Sequence, residues 1–154
     1  MRELRVYIDT SVYGGAFDVE FQIVTQRFFD EVRRGNIHLV VSALVQDELI
    51  EAPMHVNQLF KELFQWTTII PVMTEALDLQ QAYLDAGILT PKWADDALHV
   101  AMATVADCSM IVSWNFKHIV HFEKIPHYNA INAVNGYRPL AIYSPPEVLI
   151  YEEE

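Results

Sequence analysis

Short runs of β-branched and apolar residues alternate along this chain with longer segments of helical periodicity, and this alternation restricts the fold more than any other feature. Five of the runs predict strands, at residues 4–8, 37–41, 67–72, 109–112 and 140–143. Strands that are separated by helical crossovers form mainly parallel sheets with helices on both faces. The order of the segments therefore predicts a three-layer α/β/α fold with a sheet of about five strands.

Helical periodicity predicts five helices between these strands. They cover residues 21–34, 43–51, 56–65, 74–86 and 92–106. Two of them end at a glycine, Gly35 or Gly87, as helices commonly do. Ser42 stands directly before another helix, where its hydroxyl is expected to cap the first turn. With 154 residues, 52% of them apolar, the chain is expected to form one domain over residues 1–150 and an acidic tail over 151–154.

The charge balance restricts the partners that the chain can bind. Ten Lys and Arg residues stand against 21 Asp and Glu residues, so the net charge is −11. Such a balance disfavours non-specific nucleic-acid binding and attraction to an anionic membrane. No apolar run approaches the roughly 18 consecutive residues that a membrane span needs. The carboxylate of Asp9 interrupts the N-terminal apolar segment, which is too short for the core of a signal peptide. A soluble, cytoplasmic protein without membrane contact is expected.

Polar residues follow the first and fourth predicted strands. In parallel sheets, functional groups gather at the carboxyl ends of the strands. Asp9 ends the first strand and is followed by Thr10 and Ser11, while Ser113 and Asn115 follow the fourth strand. Asp9 is either a helix cap or a metal ligand, and its position alone does not decide between the two.

Two helices add carboxylates near these strand ends. On the helix after the second strand, a helical wheel places Glu48 on the inward face and Asp47 toward the surface. An inward carboxylate needs a partner, either an arginine or a metal ion. Asp95 and Asp96 lie in the first turn of the helix before the fourth strand, where acids also suit the helix dipole. Periodicity does not choose between these aspartates, and His99 is expected to be a buried, hydrogen-bonded residue.

A cluster of these acids needs a proton or a cation. Two carboxylates about 4 Å apart repel by about 4 kcal/mol at an effective dielectric constant near 20, so three mutual pairs cost roughly 10 kcal/mol. Ligands that are all oxygen favour Mg²⁺ or Mn²⁺, and the chain has no recognisable zinc spacing. A magnesium or manganese site is therefore expected where the acids converge.

Four segments, in order, carry a resemblance to a known family. They are Tyr7-Ile8-Asp9-Thr10-Ser11, Val41-Ser42-Ala43 through Glu48-Leu49, Asp96-Ala97-Leu98-His99-Val100-Ala101 and Ile111-Val112-Ser113-Trp114-Asn115. Together they resemble the PIN-domain nucleases, including the VapC-type toxins of bacterial toxin–antitoxin pairs. The resemblance implies a PIN-like α/β/α domain whose acidic pocket binds Mg²⁺ or Mn²⁺ and hydrolyses RNA phosphodiester bonds as an endoribonuclease.

The resemblance also assigns roles to individual residues. Asp9, Glu48 and Asp96 correspond to the three acids that bind the metal and carry out catalysis, which selects the second aspartate of the helix-start pair. Ser11 and Asn115 correspond to polar positions that line the pocket. These two residues are expected to position water or a phosphate oxygen.

The loop after the fourth strand supplies further candidates and one departure from the family pattern. Ser113, Lys117 and His118 are expected to help position the substrate or water, and Lys92 is a weaker candidate for contact with the RNA backbone. Many family members carry a fourth acid where this chain has His118, which disfavours a two-metal mechanism here. The alternative is a catalytically weakened PIN-like domain that binds RNA or protein.

The resemblance further implies an RNA substrate, an antitoxin partner and a homodimer. An antitoxin helix would fill an apolar groove. Five aromatic residues are candidates for lining it, although burial in the core is favoured for them: Phe28, Phe29, Phe60, Phe64 and Trp66. Two other α/β folds are disfavoured, because the first strand lacks the acidic pair of a phosphoacceptor receiver domain and no strand precedes a G-x-G-x-x-G sequence.

Overall fold

A computed structural model describes residues 4–149, which form a five-stranded sheet with helices on both faces. In chain order the elements are β1 (Leu4–Ile8), α1 (Thr10–Gly15), α2 (Gln22–Arg33), β2 (Ile37–Ser42), α3 (Ala43–Leu49), α4 (Met54–Glu62), β3 (Thr67–Ile70), α5 (Thr74–Asp85), α6 (Ala94–Val105), β4 (Met110–Val112), α7 (Lys124–Val134) and β5 (Ala141–Tyr143). Short 3-10 helices occur at Leu63–Trp66, Pro91–Trp93 and Pro145–Val148. The predicted α/β/α architecture is confirmed, while the predicted tail at 151–154 lies outside the described residues.

The strand order creates a crevice at one edge of the sheet. All strand pairs are parallel, and the order across the sheet is β3-β2-β1-β4-β5. Strands β2 and β3 lie on one side of β1, and β4 and β5 lie on its other side, so the direction in which strands are added reverses between β3 and β4. Such a reversal leaves a crevice at the carboxyl ends of the two strands that flank it. Ile8 and Val112 are register partners, so Asp9 and Ser113 follow them at this crevice.

The core surrounds β1 and α6. Val6, Tyr7 and Ile8 are fully buried, as expected for a central strand with neighbours on both sides. Helix α1 contacts α2, α3 and α4, and α5 packs against α6 and α7. Residues 97–104 of α6 are all buried, so this largely apolar helix lies in the core. Within residues 4–149, no helix has the length and apolar character needed to cross a membrane.

Several local predictions can be compared with the structure. Gly35 and Gly87 follow their helices with φ angles of +83° and +75°, so both predicted stop signals are confirmed. Ser42 does stand before α3, but the prediction that its hydroxyl caps the helix is wrong. The hydroxyl instead lies 2.8 Å from the hydroxyl of Tyr7, since both groups are buried and each needs a partner.

The aromatic residues proposed for a groove lie mostly in the core. Phe28, Phe29 and Phe60 are buried, as favoured from the sequence. Phe64 is 43% exposed and Trp66 is partly buried against the core. Phe60 also stacks edge-to-face on Phe64, with ring centroids 4.8 Å apart. These aromatic residues therefore lie mainly in the interior, and the ring of Phe64 is left partly at the surface.

Candidate functional site

Asp9 lies buried at the crevice between β1 and β4, with a serine on each carboxylate oxygen. The Ser11 hydroxyl donates to Oδ1 at 2.6 Å, and the Ser113 hydroxyl donates to Oδ2 at 3.0 Å. Asp9 occupies the position before α1, but its side chain makes no capping hydrogen bond. Of the two roles left open from the sequence, the helix cap is therefore wrong. Ser11 and Ser113 orient this carboxylate.

The charge of Asp9 is poorly compensated in the described structure. Burial raises the pKa of its carboxyl above the ordinary value of 3.8, and the nearby Glu48 adds to this. The charge of His99 and the two serine hydrogen bonds act in the opposite direction but do not outweigh burial. Among residues 4–149, no lysine or arginine pairs with Asp9. A cation at this carboxylate would remove the penalty that burial imposes on its ionised form.

Glu48 reaches this region from α3 and is tied to two neighbours. The Thr10 hydroxyl donates to its Oε1 at 2.7 Å, and His99 Nε2 lies 2.8 Å from the same oxygen. Its partner is thus a histidine, not the arginine considered from the sequence. The Glu48 carboxylate reaches the buried His99 ring, as an inward-facing side chain would, but the side chain is 31% exposed. Asp47 is exposed, as predicted. Burial opposes ionisation, but the His99 and Thr10 contacts outweigh it and lower the pKa of Glu48.

His99 joins Glu48 to the buried interior through a chain of hydrogen bonds. His99 is 1% exposed, and its Nδ1 lies 2.8 Å from the Tyr7 hydroxyl, which in turn contacts Ser42. Burial acts to lower the pKa of His99, but the hydrogen bond to Glu48 and the charges of Asp9, Glu48 and Asp96 outweigh it and raise the pKa above 6.5. When protonated, both ring nitrogens donate, and the expectation of a buried, hydrogen-bonded His99 is confirmed.

Asp96 and Asp95 have different surroundings, although they are adjacent on α6. The side chain of Asp96 is 21% exposed and its Oδ2 lies 2.8 Å from His118 Nδ1. Asp95 is exposed. Asp96 is also close enough to His99 to contribute to the raised pKa of that ring. The structure therefore places Asp96, and not Asp95, beside the other site residues.

The loop after β4 is held by its own polar side chains. The Asn115 backbone N–H donates to Ser113 Oγ at 2.9 Å, and Asn115 Oδ1 accepts the His118 backbone N–H at 2.9 Å. The buried Tyr128 hydroxyl donates to the His118 carbonyl at 2.7 Å. Asn115 thus shapes the turn that carries His118. Lys117 is exposed on the same loop.

Trp114 and Gly15 are site-supporting residues that the sequence did not single out. The Trp114 backbone N–H donates to Ser11 Oγ at 3.0 Å, and its indole N–H donates to Thr25 Oγ1 at 2.8 Å. A Cβ added to Gly15 would lie 2.6 Å from the indole nitrogen. Gly15 therefore gives Trp114 the space to hold Ser11, and no local pattern indicates this contact.

Replacing Gly15 by alanine is expected to destabilise the protein by about 1–3 kcal/mol, since the new methyl group would displace the Trp114 ring. The adjacent Gly14 is the matched control. Nothing lies within 4 Å of a Cβ there, and Gly14→Ala should stabilise helix α1 by about 0.5–1 kcal/mol. Urea denaturation measures both changes. Equal effects of the two substitutions would contradict the close approach at Gly15.

Three solved structures are similar to this chain in fold over nearly its whole length. VapBC2 from Rickettsia felis, crystallised with a DNA fragment from the proteins' promoter, has a TM-score of 0.59 at 14% identity over 92% of this chain and 98% of that one. FitAcB from Neisseria gonorrhoeae has a TM-score of 0.59 at 14% identity over 93% and 99%. FitAB bound to an IR36 DNA fragment has a TM-score of 0.60 at 12% identity over 96% and 99%. The shared fold is PIN-like. No family model and no curated protein matches the sequence.

The crevice of this PIN-like domain fits a hard divalent cation by its chemistry. Asp9 supplies a buried carboxylate without a basic side chain from Lys or Arg, and Glu48 and Asp96 supply two more carboxylates. As the side chains stand, however, Glu48 and Asp96 each contact a histidine. In the described part of the chain, no three His, Cys, Asp or Glu residues are grouped closely enough to hold an ion. Binding one ion with all three acids therefore requires rearrangement of these side chains.

Proposed function

We propose that this chain is a metal-dependent endoribonuclease that acts as a VapC-like toxin in the cytoplasm. The observation that carries the proposal is the buried Asp9 carboxylate at the crevice between β1 and β4. Its poorly compensated charge, beside Glu48 and Asp96, suits a cation and an anionic substrate better than a structural role. The PIN-like fold, shared with the VapBC2 and FitAB complexes, supports the same function.

Asp9, Glu48 and Asp96 would hold the metal, which we infer to be Mg²⁺ or Mn²⁺ because every ligand is oxygen. When bound, such an ion lowers the pKa of a water molecule and neutralises charge on a scissile phosphate. The resulting activity would be hydrolysis of an RNA phosphodiester bond. The acidic surface of the chain, with a net charge of −11, favours selective RNA contact over broad electrostatic capture.

The surrounding side chains prepare the acids for these roles. Ser11 and Ser113 fix both oxygens of Asp9, so its carboxylate keeps one orientation. Glu48 has a lowered pKa and is partly open to solvent, so it is ionised at neutral pH and available as a metal ligand, although the lowered pKa makes it a weak acceptor for the proton of an attacking water. His99 orients Glu48 and balances part of the negative charge.

Substitutions of the adjacent residues Asp96 and Asp95 test the proposal, since the second serves as the control for the first. Asp96→Asn removes a proposed ligand beside His118, whereas Asp95→Asn changes an exposed neighbour. Cleavage of a single-stranded RNA panel with Mn²⁺ should fall at least about a hundredfold for Asp96→Asn and stay near the wild-type rate for Asp95→Asn. Equal cleavage by the two variants and the wild type would overturn the assignment.

A second candidate function is that of a catalytically weakened module that binds RNA or protein. The observation that favours it is the Asp96–His118 pair, because a histidine occupies the position where the resemblance leads one to expect an acid. Calorimetric titration with Mn²⁺ separates the two functions. Saturable binding that Asp9→Asn removes supports the nuclease, and the absence of binding together with the absence of cleavage supports the weakened module.

We also propose that an antitoxin is the protein partner and that it occupies a cleft between α2 and α4. The cleft has a volume of about 450 Å³ and is lined by Phe17, Phe29, His55, Leu59, Arg33 and Glu62, among others. Phe17 is 43% exposed, which gives the cleft an apolar wall of the kind that an amphipathic helix contacts. A small partner protein encoded beside this chain would support this proposal. The homodimer stays a prediction.

A further inference from the structure

A tryptophan with two lysines above it lies beside the candidate site. Lys92 Nζ and Lys117 Nζ lie 5.0 Å and 5.5 Å from the ring centroid of Trp93. Lys92 precedes Trp93 in the chain, whereas Lys117 comes from the loop after β4. Both lysines are exposed, and Trp93 is partly exposed. We call Trp93, Lys92 and Lys117 the Trp93 platform.

The platform is connected directly to the acids of the site. The ring of Trp93 packs against the ring of His118, with centroids 4.3 Å apart. His118 Nδ1 in turn lies 2.8 Å from Asp96 Oδ2. One imidazole therefore separates the indole from a proposed metal ligand. A nucleotide whose phosphate is at the acids would have its neighbours close to Trp93.

The two lysines differ from three arginines of the described chain in their partners. Arg33, Arg34 and Arg138 each form ion pairs with carboxylates. Among residues 4–149, Lys92 and Lys117 have no carboxylate partner, and their recorded contacts are with the indole. An ammonium group over an aromatic ring at an exposed site is held weakly. Two such groups remain available to a strong anion such as phosphate.

We propose that the Trp93 platform binds one nucleotide of single-stranded RNA beside the scissile phosphate, with its base stacked on the indole and Lys92 and Lys117 on the adjoining phosphates. The proposal rests on the proposed ribonuclease function and names the form of RNA that the site selects. Every base has an aromatic face, so the stacking tolerates any sequence. A duplex is excluded because its base faces are covered by neighbouring pairs.

The experiment measures binding separately from cleavage. Fluorescence anisotropy with a labelled single-stranded RNA decamer, in Ca²⁺ in place of Mn²⁺ and with intact decamer verified on a gel, gives the affinity of the wild type and of variants without cleavage. Trp93→Leu should weaken binding about tenfold for single strands of different sequence, and Trp93→Phe should retain most of the affinity because it keeps an aromatic face. Binding of a double-stranded control should not change.

The lysines provide a second test that does not depend on the indole. Because both are exposed, the double variant Lys92→Ala and Lys117→Ala is expected to fold normally. The plot of log affinity against log salt concentration has a negative slope, and the magnitude of this slope should be smaller in the double variant by about 0.7 for each lysine removed. Lys61→Ala, an exposed lysine on α4, is the matched control and should leave the slope unchanged.

The possible results distinguish this proposal from the proposed function. Cleavage that depends on Asp96, together with unchanged RNA affinity of the Trp93→Leu and double lysine variants, would overturn the platform and leave the nuclease in place. RNA binding that depends on Trp93 and both lysines, without cleavage by the wild type, would support the platform and refute the nuclease. Failure of the wild-type chain to bind the decamer would overturn the platform.

Discussion

Replacing Asp9 by asparagine is expected to abolish RNA cleavage and, in metal-free buffer, to make the protein more stable. The carboxylate is the most buried of the three proposed metal ligands, and its loss should lower the cleavage rate by about a thousandfold or more. Asparagine has nearly the same shape and carries no charge. The Ser11 and Ser113 hydroxyls, which can donate or accept, can pair with either end of the amide.

The stability change has a defined dependence on pH. Since burial raises the pKa of Asp9, the folded state keeps a proton that the unfolded state has already lost above about pH 3.8. The unfolding free energy of the wild type therefore decreases as the pH rises from 3.8 through the pKa of the folded state, and Asp9→Asn lacks this decrease. Thermal denaturation of both proteins in EDTA between pH 4 and pH 8 measures the difference.

Two outcomes would contradict this prediction. Cleavage by Asp9→Asn at the wild-type rate would refute the catalytic role proposed for Asp9. A lower melting temperature of Asp9→Asn than of the wild type at pH 7 would mean that the charged carboxylate stabilises the fold. Asp95→Asn, a change at an exposed residue, should leave both cleavage and melting temperature near the wild-type values.

Replacing His99 by alanine is expected to lower the free energy of unfolding by about 3 kcal/mol. The substitution leaves a cavity in the core and takes one partner from the buried Tyr7 hydroxyl. It also releases Glu48, so cleavage should decrease even at temperatures where the variant is folded. Urea denaturation gives the free energy, and single-turnover cleavage gives the rate. His127→Ala, on the exposed side of α7, should change stability by less than about 0.5 kcal/mol.

The contribution of the His99–Glu48 pair to the free energy of unfolding should decrease both at high pH and at low pH. The pKa of His99 is raised above 6.5, so its stabilisation is fully present below pH 6.5 and is lost as the pH rises through the pKa of the folded state. The pKa of Glu48 is lowered below 4.5, so its stabilisation is present above pH 4.5 and is lost as the pH falls through its folded-state pKa. Glu48→Gln should flatten this profile, and an unchanged profile would contradict the ionised pair.

The sheet is largely predictable from the sequence because its three central strands, β2, β1 and β4, are mostly buried. Such strands appear as short, continuous apolar runs, and all five observed strands overlap the predicted ones. Helices α1 and α7 are not predictable in the same way. Helix α1 has six residues and ends in two glycines, too short for a periodic pattern. Helix α7 contains Pro126 in its first turn, which the sequence presents as a boundary.

The candidate site is predictable in its acids and not in their partners. Asp9 stands out because a carboxylate ends an apolar strand, and the family resemblance selects Asp96. The partners of Glu48 and Asp96 are histidines 51 and 22 residues away, and no local rule specifies such pairs. The helical wheel placed Glu48 on the inward face, which agrees with its contact with the buried His99 ring, but a wheel gives no information about how much solvent reaches the carboxylate.

The hydrogen bond between Asp9 and Ser113 joins residues that are 104 positions apart. Contacts of such sequence separation form late, because a long stretch of chain has to be ordered before they close. A ribosome that synthesises this chain therefore exposes Asp9 long before it adds the serine that completes its support. An unfinished or prematurely terminated chain that ends before β4 lacks that support. Assembly of the proposed site therefore depends on the synthesis of β4, and fragments that lack this strand are expected to have no nuclease activity.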